Sequence, residues 1–231
     1  MDFDVLDEHE QGEVVQKWLR ENAISIAVGV LLGLVLIFGW QQWKAHRLRH
    51  DAEAASQYQA LSDAAEAKRN DEVTTIAGVL RKDYAGTVYA VLAAMYQAEQ
   101  ASAKNDLAGA AIDLAWAQEH SDVDSLKSLA ALRLARVKLA QGDADGAIKL
   151  VDGVPKDEYS SFAGEIRGDA LVKLGRADDA RAAYQEALSH LDAQAPNRVF
   201  VQMKLDDIAV VLAKAPKSAE PSAPVPEKSG S

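Results

Sequence analysis

Five histidines are the first side chains to test for chemistry: His9, His46, His50, His120 and His190. His46 and His50 are four residues apart and could share one helix face, where two imidazoles could reach a common metal. No third ligand lies near them in sequence, and the chain has no cysteine to supply a thiolate. The same lack excludes disulfides, thiolate catalysis and a lipoprotein anchor. His120 and His190 fall at the ends of expected helices, where an imidazolium suits the negative end of the dipole. Acidic residues are scattered as solvated helix faces rather than paired. There is no glycine-rich phosphate loop, no GxSxG and no HExxH. The expectation is a chain without catalysis, metal or cofactor. A formal net charge of −10 also argues against nucleic acid, which needs clustered Lys and Arg.

A chain without reactive constellations acts through its surfaces, and its elements set those. The hydrophobic fraction is 48%, rich in alanine, while aromatics make up only 6%, a balance that favours closely packed helices over sheets. Residues 22–43 carry no charge, and Glu21 and Lys44 bracket the run. As a helix it would span roughly 33 Å, enough for a hydrocarbon core of about 30 Å. Trp40 and Trp43 suit the headgroup level, with Lys44 and Arg47 in the water beyond. A cleaved signal peptide fits poorly. Seven acids in the first 22 residues face only Lys17 and Arg20, and bulky Trp stands where a cleavage site needs small residues.

The expected organisation is an acidic tail at 1–22, a transmembrane helix at 23–43 and a basic juxtamembrane segment at 44–50. A helical domain follows at 51–214, then a disordered Pro-rich tail at 215–231, where four of the six prolines fall. Charges flanking the span leave its orientation open. Inside it, Ser25, Gly29 and Gly33 recur every four residues, placing small side chains on one face where a second membrane helix could approach.

Within 51–214 apolar residues recur at three and four, as in Leu129, Leu132, Val137 and Leu139. Three turns align: NDLAGAA from Asn105, GDADGAI from Gly142 and GRADDAR from Gly175. Their spacings of 37 and 33 residues bracket the tetratricopeptide period of about 34. Small residues recur with them: Ala98 with Ala110, Ala135 with Ala147, and Gly168 with Ala180, Tyr184 and Ala187. The expected fold class is all-α: a single transmembrane helix followed by a tetratricopeptide-like α-solenoid. An earlier helix pair is expected over 51–69 and 71–82, and a capping helix over 199–213. In that register the first helix of each unit lines a concave groove, through Leu92, Met95 and Glu99; Leu129, Leu132, Arg136 and Leu139; Phe162, Glu165, Asp169, Val172 and Lys173. Such a groove, mixed apolar and charged, suits a hydrophobic segment of a protein partner.

The stretches VVQKWLRENAISIAVGVLLGLVLIFGWQQW, RLARVKLAQGDADGAIKLVDGV and EIRGDALVKLGRADDARAAYQEAL resemble the YfgM family of ancillary SecYEG translocon subunits. The likeness covers about residues 10–212; the Pro-rich tail departs from it. The resemblance implies a bacterial inner-membrane protein with a cytoplasmic N-terminus and a periplasmic helical domain. It also implies association with SecYEG and with the prolyl-isomerase-like chaperone PpiD. An accessory role of this kind would add unfolded secretory proteins as partners of the helical domain. The alternative is a signalling adaptor that works through the acidic tail.

Overall fold

The computed structural model describes residues 8–214, with side chains over 15–210. The start of the acidic tail and the whole Pro-rich stretch lie outside the described residues. Among these residues the chain is all-helical: α1 (Glu8–Glu66), α2 (Asn70–Asp83), α3 (Val88–Ala103), α4 (Leu107–His120), α5 (Asp124–Ala140), α6 (Ala144–Asp152), α7 (Ser160–Lys173), α8 (Ala177–Ser189) and α9 (Arg198–Lys214). It divides into two compact units, residues 1–55 and 56–231.

The first unit is the long apolar part of α1. Its side chains from Ile24 to Trp43 face outward, and none of the apolar window is buried within the protein. A core helix of a soluble domain would be covered by its neighbours; this one is shaped for lipid. The new helix expected at Asp51 does not occur, because α1 continues unbroken to Glu66. The reason is local: residues 44–66 hold neither Gly nor Pro, and Ala, Arg, Leu and Glu sustain the helix through the basic stretch.

The second unit is a row of helical hairpins, each folded by the same turn. Lys68, Asn105, Gly142 and Gly175 all adopt left-handed backbone, with φ of 57°, 60°, 88° and 73°. After each, the next residue's N–H reaches back five residues: Arg69 to Ala64 O, Asp106 to Ala101 O, Asp143 to Lys138 O and Arg176 to Leu171 O, at 2.8–2.9 Å. This Schellman closure satisfies the last carbonyls of one helix and aims the chain into the next. In two turns Asp then caps the new helix: the Asp106 and Asp143 carboxylates accept the N–H of Gly109 and Gly146, each at 2.9 Å. The Gly146 N–H, together with Lys138, holds the Asp143 carboxyl below its usual range.

Helix crossings sit at a fixed offset from these turns. Ala98 and Ala110, Ala135 and Ala147, and Gly168 and Ala180 are each 12 residues apart, and all six are buried. A missing side chain lets two helix axes approach, so α3 packs on α4, α5 on α6 and α7 on α8. Core clusters form around α3–α5, around α5–α7 and around α7–α9. The corresponding pair before Asn70 is Leu61 and Val73, larger but equally buried. Lys68 holds a left-handed conformation that costs an L-residue about 1–2 kcal/mol. Lys68→Gly is therefore expected to stabilise residues 51–214 by about 0.5–1 kcal/mol, after the entropy cost of glycine, in urea denaturation.

Candidate binding groove

Helices α3, α5 and α7 lie side by side along the row. Between α3 and α5 is a depression of about 330 Å³, lined by Met95, Ala98, Glu99 and Ser102 on one side and Arg133, Arg136 and Val137 on the other. Between α5 and α7 is a second of about 720 Å³, lined by Arg136, Leu139, Glu165, Asp169, Val172 and Lys173, and closed by Tyr184 and Lys204. Arg136 belongs to both. Its guanidinium lies 4.0 Å from the Phe162 ring centroid and donates to Glu165 Oε2 at 3.1 Å. The ring contact and the ion pair together hold the Arg136 head between the two depressions.

The second depression is built on one glycine. A Cβ at Gly168 would overlap the Tyr184 ring, so only glycine lets the ring lie against α7. From there the Tyr184 hydroxyl donates to Asp169 Oδ1 at 2.7 Å. Lys204, reaching in from α9, donates to Asp169 Oδ2 at 2.7 Å and to Glu165 Oε1 at 2.8 Å. Each carboxylate thus serves two donors, and the network ties α5, α7, α8 and α9 together.

Burial, and then the Asp169 carboxylate beside it, raise the Tyr184 phenol well above its ordinary pKa. For Lys204, burial works against the charge, but its hydrogen bonds to Asp169 and Glu165 outweigh burial and raise its pKa. Both folded-state values exceed the unfolded ones. The stabilisation is therefore complete below about pH 10 and is lost as pH rises above it, where the unfolded chain gives up these protons more readily. Urea midpoints measured up to about pH 11 should fall with pH, and Tyr184→Phe should flatten that fall.

The residues expected to line the groove divide into three groups. Met95, Glu99, Arg136, Leu139, Glu165, Asp169, Val172 and Lys173 do line the depressions, although Met95 and Leu139 show only 3% and 7% of their surface. Phe162 serves as the platform under Arg136, while half-buried Leu92 and Leu129 line neither depression. Leu132 is a correction. It is fully buried, in the cluster with Ala135, Ala147 and Ile166. A first helix packed between two neighbours has two buried stripes besides its groove edge, and Leu132 lies on one of them.

Ala98, Ser102, Arg133, Val137, Tyr184 and Lys204 also line the depressions and were not among the groove residues expected. One signal was available: Lys204 interrupts the core-facing series Val201, Leu205 and Ile208 of α9, where a charge needs a partner. Ser25, Gly29 and Gly33 lie on α1, and a Cβ at either glycine meets nothing within 4 Å among the described residues. His120 ends α4 and His190 is the C-cap residue just after α8; His120 stacks on Trp116, with centroids 4.1 Å apart.

Helical hairpins stacked by a repeated turn and repeated small crossings define a tetratricopeptide-like solenoid. The chain belongs to the tetratricopeptide repeat-like domain family, whose family model matches residues 16–210. It is similar to two proteins named ancillary SecYEG translocon subunit, in agreement with the resemblance to the YfgM family. The one from Escherichia coli (strain K12) is 28% identical over 204 residues, 88% of this chain and 98% of that protein. The one from Haemophilus influenzae is 27% identical over 206 residues, with the same coverage.

Proposed function

We propose that this chain is a non-catalytic accessory subunit of the bacterial Sec translocon. Its apolar helix spans the inner membrane once, with the N-terminus in the cytoplasm and the helical domain in the periplasm. The groove takes short hydrophobic segments of a partner, either a PpiD-like chaperone or an emerging secretory chain. Likeness along 88% of the chain to proteins named ancillary SecYEG translocon subunit carries this reading. The groove supports it: two adjoining depressions lined by both apolar and charged side chains suit an extended segment with spaced apolar side chains. Anchoring the domain at the membrane raises its effective concentration near membrane partners, so each contact can be weak. The face of Ser25, Gly29 and Gly33 supplies a second contact, packing on a neighbouring membrane helix.

Two measurements test the proposal. Protease added to spheroplasts should degrade the domain after Trp43 and leave the first 20 residues or so protected. Protection of the domain instead would reverse the orientation. Full-length protein purified in mild detergent should bring SecYEG with it, and Gly29→Leu with Gly33→Leu should weaken that recovery without unfolding the domain. Recovery of no Sec component by the unaltered chain would overturn the assignment.

A further inference from the structure

A band of positive charge separates two acidic stretches. Residues 1–22 carry seven acids against two bases, and residues 51–231 carry 28 against 20. Between Glu21 and Asp51 there is no acid, while Lys44, Arg47 and Arg49 follow directly on Trp40 and Trp43. The order is not random on the helix. Trp40, Trp43, Lys44 and Arg47 succeed one another at steps of three and four or lie beside those steps, so they share one face of α1. The two indoles lie 5.2 Å apart, centroid to centroid, and the Arg47 guanidinium lies 5.7 Å from the Trp43 ring. All four side chains are exposed, and Arg49 adds a third charge within the same turn.

We propose that this collar binds the phosphate of anionic phospholipid headgroups. Indoles settle at the headgroup level of a bilayer, which fixes the depth of what is attached to them. From the residue next to Trp43 and from one turn beyond it, the Lys44 ammonium and the Arg47 guanidinium reach the level of the lipid phosphates and donate to them. The Arg47 contact with Trp43 pre-orients the fork, so less freedom is lost on binding. A zwitterionic lipid carries its own cation beside the phosphate, whereas an anionic lipid leaves the phosphate uncompensated. Each basic residue near such a surface is worth about a fivefold preference. The collar also meets a need of the chain, since the domain that follows is acidic and an anionic surface repels it.

The test uses the full-length chain in phosphatidylcholine nanodiscs. Trp18→Phe and Trp116→Phe leave Trp40 and Trp43 as the reporters. Quenching by brominated phosphatidylglycerol is compared with quenching by brominated phosphatidylcholine. The collar predicts tighter binding of phosphatidylglycerol, by about fivefold or more, and a ratio near one for Lys44→Gln, Arg47→Gln, Arg49→Gln combined. Circular dichroism of that variant should match the parent. A ratio near one in the parent, or an unchanged ratio in the variant, overturns the proposal. Inorganic phosphate and chloride at equal ionic strength separate the sources of the anion. Equal effects support the lipid, whereas selective loss of the preference in phosphate would show a site for the free anion and overturn the lipid assignment.

Discussion

Gly168→Val is expected to destabilise the helical domain by about 3–5 kcal/mol. The added carbons would enter the space of the Tyr184 ring. That ring cannot retreat: it is only 2% exposed and packs with Leu171, Ala180, Ala183 and Val201. Displacing it also breaks the hydroxyl's bond to Asp169, a charged acceptor worth about 1.5–3 kcal/mol. Lys204 then loses a partner held in its best geometry, and α9 loosens from the end of the stack. Gly78→Ala is the control with opposite sign. Gly78 is exposed inside α2, and a Cβ there meets nothing within 4 Å among the described residues. Alanine should therefore raise stability by about 0.5–1 kcal/mol. Urea denaturation of the two variants decides the matter: a Gly168→Val domain as stable as its parent would mean that the α7–α8 crossing is looser than described.

The second large effect separates groove from core along a single helix. Arg136 and Leu132 both lie on α5, four residues apart, yet Arg136 is 47% exposed and Leu132 is fully buried. Leu132→Glu would place an unpaired carboxylate among Ala135, Ala147 and Ile166, and is expected to unfold the domain, at a cost above about 4 kcal/mol. Arg136→Glu leaves the core intact, so stability should change by about 1 kcal/mol or less after solvent screening. Binding should suffer far more. Arg136 edges both depressions, and its loss leaves Glu99, Glu165 and Asp169 facing a new acid across the groove. Affinity for a hydrophobic partner segment should fall by about tenfold or more, the usual mark of a central interface residue. Fluorescence anisotropy with a labelled segment, paired with circular dichroism, distinguishes the two variants. A folded Arg136→Glu protein that binds normally would remove the groove from the account.

Much of the fold was legible because its turns use residues with conformational meaning. Gly142, Gly175 and Asn105 are the residue types that tolerate left-handed backbone, and D-x-x-G spells the cap that follows two of those turns. The earlier turn was opaque for the same reason: Lys68 gives no such sign, and Leu61 with Val73 hides the small-residue crossing. The continuity of α1 past Asp51 was also hidden, since a change from apolar to charged composition looks like a boundary while the backbone continues. Of the candidate site, the repeat register pointed to exposed positions such as Glu99, Arg136 and Lys173, which line the depressions, but also to Leu92 and Leu129, which do not. Leu132 was misplaced because the period marks an apolar stripe without saying which neighbour covers it. Lys204 was missed because its partners, Asp169 and Glu165, lie 35 and 39 residues away and only the stacking of α9 brings them together.

The central claim is that the groove captures partner segments beside the translocon, and site-specific photo-crosslinking in living cells tests it most directly. A crosslinker at Val172, exposed at the edge of the second depression, is compared with one at Ile112, exposed on α4 and outside both depressions. The account predicts adducts from Val172 with a PpiD-like chaperone or with secretory chains arrested in SecYEG, and their loss when Arg136→Glu is added. Adducts from Ile112 but not from Val172, or adducts from Val172 that persist with Arg136→Glu, would contradict it.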